Sequence, residues 1–383
     1  MPRGLFVVPV EPEILIWART SIGMDEKDVA IKIKGITGET IKNWEKGLGK
    51  PTFSQIERLA FIYKRPLAVF LLSKPPEEPQ LPTDYRTADS VKHKPLTSRT
   101  LLVIRKARRL QQSALELNKE LDRPVTPFPI KATLSDKPEI VAQKVREKIV
   151  PASLNISTLK NSEEAFELWK SILEDNGVFI FQINIQQREI KGFSITEGTI
   201  PAITVNKNDE WNSKIFSLFH ELTHILLNKS GICDMKPEDD YSPEIEKFCN
   251  RFAGAFLVPP NNLLAHILVR QNNSGKWDNK TLNIIASQFR TSKEVILRRL
   301  LILRKTTNDF YKQWREKYIK DYRPFGKRKK DSSIKARIQE RGKKYVSMVF
   351  TAYERAKISP LDTADYLGVK INQIPEVHEM ISK

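Results

Sequence analysis

Phe216-Ser217-Leu218-Phe219-His220-Glu221-Leu222-Thr223-His224-Ile225-Leu226-Leu227 is the stretch on which the reading of the chain turns. Its apolar residues surround a helix on nearly every side, so the helix belongs in a core. Histidines four residues apart project from one face of it, where both imidazoles reach a single metal ion. Glu221 is offset from His220 by about 100°, beside the position that water takes as a further ligand. Without a partner, three such polar groups in apolar surroundings are costly. That favours a bound ion over a plain hydrogen-bonded histidine pair. With zinc present, the pKa of its water falls to about 7 and Glu221 accepts the proton as general base.

A catalytic zinc site takes three protein ligands. Glu246 fits the third place, in the first turn of a helix expected over 243–257, although the helix dipole alone would also favour an acid there. On spacing, Asp239, Asp240 and Glu244 compete with it. Cys249 and Asn250 follow Glu246 by three and four residues, on the same helical face. Cys249 reads more readily as a small buried thiol than as a ligand, and Cys233 gives no comparable signal. Ser242 is the expected N-cap and Pro243 the first helical residue. Upstream, helices are expected at 98–121, 136–149 and 163–176. The β-rich runs Val178-Phe179-Ile180-Phe181, Gly192-Phe193-Ser194-Ile195 and Ala202-Ile203-Thr204-Val205 predict a small sheet. The fold class is therefore α+β and mostly helical.

The chain of 383 residues carries 64 Lys+Arg against 46 Asp+Glu, a formal charge of +18. Its 40% apolar content excludes a disordered chain, and no stretch of about 18 apolar residues could span a bilayer. The N-terminus lacks the features of a secretory signal and two cysteines cannot staple a fold of this size, so a reducing cytoplasmic setting is expected. Residues 304–344 hold 16 basic and 5 acidic residues, whereas 1–73 hold 11 and 8. Within the basic segment, Lys327-Arg328-Lys329-Lys330, with Tyr318, Tyr322 and Phe325 nearby, is a candidate nucleic-acid contact.

The metal helix followed by Glu246-Lys247-Phe248-Cys249-Asn250-Arg251-Phe252-Ala253-Gly254-Ala255-Phe256-Leu257-Val258-Pro259 resembles the ImmA/IrrE family of metallopeptidases over roughly residues 160–300. That family pairs its HExxH helix with a downstream Glu-x-x-Ala-Asn-x-Phe-Ala segment, and Cys249 stands where alanine is usual. The resemblance implies a zincin-like core, a metal held by His220, His224 and Glu246, and zinc or manganese as the ion. It implies as substrate a helix-turn-helix repressor, cut at one site. It also puts Gly192-Phe193-Ser194 at the sheet edge, where an extended peptide could add as a strand.

Residues 11–72 read as a compact helical unit. Within it, 28–47 have helix-turn-helix logic: Ala30 for close helix approach, Gly35 for the turn, Thr37 as cap, and Ile41 and Trp44 as anchors. Glu39, Thr40, Lys42 and Asn43 face outward as candidate DNA contacts, although Glu39 would repel phosphate and a dimerisation module or a docking element mimicking the repressor substrate compete with operator binding. Together with Trp44-Glu45-Lys46-Gly47 and Pro51-Thr52, this resembles XRE-type domains, which implies a five-helix fold and a double-stranded operator as partner. The expected organisation is a helix-turn-helix domain at 1–73, a proline-rich linker at 74–98, a helical connection at 99–160, a peptidase domain at 161–300 and a basic helical region at 301–383. The expected function is a zinc-dependent endopeptidase and transcriptional regulator that cleaves a repressor or partner protein, with no membrane role and a homodimer as the expected assembly. Two competitors are an antitoxin-like regulator that neutralises a neighbouring toxin with a non-catalytic metal site, and a sensor that takes up single-stranded nucleic acid at 304–344.

Overall fold

The structure, a computed structural model, describes residues 7–84, 95–124, 127–187, 190–233, 243–321 and 333–382. They form two compact units, one of residues 7–81 and 95–106 and a second of 82–84 and 107–382.

The first unit packs α1 (Pro12–Thr20), α2 (Glu26–Ala30), α3 (Gly38–Glu45) and α4 (Phe53–Tyr63) around Ile14, Leu15, Val29, Ile41, Trp44, Ile56, Leu59 and Phe70. Within 1–73, where five helices are expected, the fifth is the short 3-10 segment Leu67–Leu71, and the long α5 (Ser98–Glu120) follows later in the chain. Capping boxes start α2, α3 and α4, from Asp25, Thr37 and Thr52. Gly35 takes the left-handed φ of +78° in the connection from α2 to α3. Arg19 of α1 makes two hydrogen bonds of 2.7 Å to the Glu45 carboxylate of α3, both side chains being buried.

In the second unit, five strands lie in the order β1-β5-β3-β4-β2. They are β1 (Thr83–Asp84), β2 (Phe179–Ile183), β3 (Gly192–Ile195), β4 (Ala202–Asn206) and β5 (Gly231–Cys233). β2 runs parallel to β4, β3 antiparallel to both β4 and β5, and β1 parallel to β5. The three β-rich runs of the sequence are thus strands, but the expected edge is not an edge. Gly192, Phe193 and Ser194 belong to β3, which has a hydrogen-bonded neighbour on each side. The two short strands that flank it on the far side carry no alternation long enough to be read from sequence.

A helical layer lies against this sheet: α8 (Trp211–Leu226) packs on β3 and β4, with α7 (Ser162–Asp175) and α9 (Glu244–Leu257) beside it. Leu218, Phe219, Leu222, Phe252 and Phe256 are buried there, joined by Trp169 of α7 and by residues of α6 (Pro138–Ile149), which packs against α9. Pro243 is the cap of α9, its carbonyl accepting from Glu246 and Lys247, and not the first helical residue as expected; Ser242 lies outside the described residues. After α9 come α10 (Pro260–Ala265), α11 (Ile267–Arg270), α12 (Asn279–Gln288), α13 (Lys293–Ile302) and α14 (Asn308–Asp321). The chain ends in α15 (Ile334–Arg341), α16 (Lys343–Glu354), α17 (Pro360–Leu367) and α18 (Ile374–Ser382).

Candidate metal centre

The sequence places His220 and His224 one turn apart on α8, and the core packing of that helix removes both from solvent, with 0% exposure for each and for Glu221. α9 crosses against α8 and brings in Glu246, which is 4% exposed. The Glu246 carboxylate bridges the pair: Oε2 lies 3.2 Å from His220 Nε2 and Oε1 lies 3.2 Å from His224 Nε2. Donors about 2.0–2.1 Å from one tetrahedral zinc ion sit roughly 3.3 Å apart, so these spacings suit a shared cation.

Two further observations fit a cation here. His220 Nε2 is buried and, despite its closeness to Glu246, is not aligned for a hydrogen bond. Both carboxylate oxygens of Glu221 are buried with no hydrogen-bond partner. Buried polar groups of this kind are normally satisfied, and an ion with its water supplies what these lack. The residues that could hold it are His220, His224 and Glu246, with Cys249 close by. The ligand atoms of His220, His224 and Cys249 all lie within 4.8 Å of one another.

The electrostatics divide the two acids. Burial favours the neutral form of each, but the two imidazoles overcome it at Glu246 and hold that carboxyl down at about 2. At Glu221 burial wins over the pull of His224 and His220, and its pKa is raised. Burial opposes protonation of His220, and the Glu246 charge outweighs it, so His220 is raised as well. The imidazoles thus favour the charged form of Glu246, and burial the protonated form of Glu221.

The surrounding residues fix this geometry. Asn250, one turn past Glu246 on α9, places its Oδ1 3.0 Å from His220 Nδ1, which orients the ring so that Nε2 faces Glu246. Its position on the ligand face of α9 is readable from the sequence; its pairing with a residue thirty positions earlier is not. Gly192 of β3 is the other residue whose part the sequence hid. A Cβ there would come within 2.9 Å of the Thr204 carbonyl and 3.4 Å of Glu221 Oε1. It is the Thr204 carbonyl of β4 that leaves no room for a side chain at this position beside Glu221. A cavity of about 830 Å³ borders the site at Phe216, Asn250 and Gly254, but none of His220, Glu221, His224 or Glu246 lines it.

Other predicted residues fall elsewhere. Glu244 is exposed in the first turn of α9. Asp239 and Asp240 lie outside the described residues, as do Lys327, Arg328, Lys329, Lys330, Tyr322 and Phe325. On α3, Glu39 and Lys42 are exposed and Asn43 is half-buried. Thr40 spends its hydroxyl on the cap, 2.9 Å from Thr37 Oγ1.

Residues 173–301, a third of the chain, match the model of a peptidase family, M78, described as the IrrE N-terminal-like domain. The matched stretch contains α8, α9 and four of the five strands. By this match the stretch is similar to a metallopeptidase domain of a family that implies a metal, usually zinc. No curated protein and no solved structure matches the chain. Among the described residues no helix is long and apolar enough to cross a membrane.

Proposed function

We propose that this chain is a zinc-dependent endopeptidase in which His220, His224 and Glu246 hold the ion and Glu221 is the general base. The observation that carries this reading is the buried Glu221 carboxylate, without a hydrogen-bond partner and beside two imidazoles that converge on a second, ionised carboxylate. Zinc, when bound, polarises a peptide carbonyl and brings the pKa of its water to about 7. Glu221 takes the proton of the attacking water, helped by a pKa that burial raises, and returns it to the leaving amine. Asn250 holds His220 in the tautomer and orientation that leave Nε2 free for the ion.

The substrate under this reading is a helix-turn-helix repressor or another protein encoded beside this one. The first unit serves as a DNA-binding head, with Lys42 and Asn43 at the operator and α3 as the helix that enters the groove. Its capped α3 and the turn at Gly35 support that part. Glu221→Gln is the decisive variant. It should keep one equivalent of zinc and lose at least a hundredfold in cleavage of the co-encoded protein. Wild-type rates in that variant would end the hydrolytic reading.

The complete burial of His220, Glu221 and His224 favours a second reading, a regulator or antitoxin whose metal is structural. In that case Glu221→Gln leaves unchanged the stoichiometric block of a neighbouring toxin.

A further inference from the structure

Cys249 is the residue on the ligand face of α9 to which neither reading gives work. Glu246, Cys249 and Asn250 stand at positions i, i+3 and i+4 of that helix, and two of them already serve the centre: Glu246 faces both imidazoles and Asn250 holds His220. Cys249 is fully buried, and its Sγ lies within 4.8 Å of the ligand nitrogens of both His220 and His224. His220 Nε2 and both Glu221 oxygens beside it are buried without a hydrogen-bond partner, polar atoms that a cation with its donors would satisfy.

We propose that Cys249 Sγ is a fourth protein donor to the ion held by His220, His224 and Glu246. This rests on the metal-centre reading above. Binding exchanges the thiol proton for a sulfur–metal bond, and the proton leaves to solvent. Two consequences follow from the donor chemistry. A thiolate in the set selects thiophilic ions such as zinc, cobalt or cadmium over manganese. A set of four protein donors also closes the shell in the manner of structural zinc sites, so water reaches the ion only when the sulfur lets go.

The test uses the full chain, reduced and loaded with Co²⁺ in place of the native ion, with metal content measured alongside the spectrum. One equivalent of Co²⁺ with a near-ultraviolet sulfur-to-cobalt charge-transfer band is expected. The band should vanish in Cys249→Ser and persist in Cys233→Ala. Cys249→Ser should still bind cobalt, at least tenfold more weakly. Uptake of one equivalent with no such band overturns the role of Cys249 and leaves the centre standing. No uptake, or uptake undiminished in His220→Ala, overturns both. If Cys249→Ser fails to fold, ¹¹³Cd NMR of the wild-type chain decides: a sulfur donor shifts the resonance downfield of the range for nitrogen and oxygen ligands, and a resonance within that range overturns the proposal.

Discussion

His220 is held from two sides, by Asn250 at Nδ1 and by Glu246 near Nε2, and its tautomer follows from those neighbours. Replacing Asn250 with alanine removes the outer hydrogen bond without touching a ligand. Losses of this kind usually cost 10–100-fold in metal affinity, so Asn250→Ala should weaken zinc binding by that factor in a chelator competition titration. Affinity equal to wild type would show that core packing alone orients the ring. How far the sequence reveals the site is also decided at this scale. The two histidines and Glu221 follow from the period of one helix, which is local. Glu246 needed a second helix, and spacing left it among several acids. Gly192 touches Glu221 only because β3 passes over α8, and no pattern within either segment reports that.

Between elements, buried charge does more of the work than the sequence suggested. Glu45 of α3 sits in a stretch read as part of a DNA-binding signature, yet its carboxylate is committed to Arg19 of α1. Breaking a buried pair from one side leaves an unpaired charge and costs about 3–5 kcal/mol. Arg19→Ala should destabilise the first unit by that amount in a denaturant titration. Less than about 1 kcal/mol would mean that the pair is solvated in solution. On α7, burial lifts the Glu174 carboxyl to about 7 against the pull of Lys170 and Lys344. The unfolded value is 4.5, so the folded state binds the proton more tightly and stability falls as pH rises between those two values. The loss is at most about 3 kcal/mol. Glu174→Gln should abolish that slope between pH 5 and 7.5, and an unchanged slope would assign it to other groups. Among the elements, long helices and five-residue strands were legible because their periodicity extends far enough to read. β1 and β5 are two and three residues long and exist only through their partners, so nothing in their sequence corrects the edge position that the family resemblance implies for β3.

Taken whole, the sheet has two outer strands, and the one away from β1 is β2. The C-terminal helices occupy that flank. α15 packs on β2, Gln182 donates 3.4 Å to the Gln339 carbonyl, and Tyr345 meets Phe179 and Phe181 edge-on. Gly342, at φ +84°, lets the turn between α15 and α16 press against the strand: a Cβ there would lie 3.1 Å from the Ile180 carbonyl and 2.5 Å from Glu174 Oε1. Sequence composition marks 304–344 chiefly as a basic run, and nothing in that run announces its second half as a cover for a strand. Deleting 334–382 should therefore leave α8 and α9 in place yet drive the shortened chain into oligomers, seen as early elution on a sizing column. A monodisperse monomer would refute this. On that expectation the last helices are a guard against self-templating growth, keeping a row of backbone donors and acceptors from recruiting another copy of the same chain.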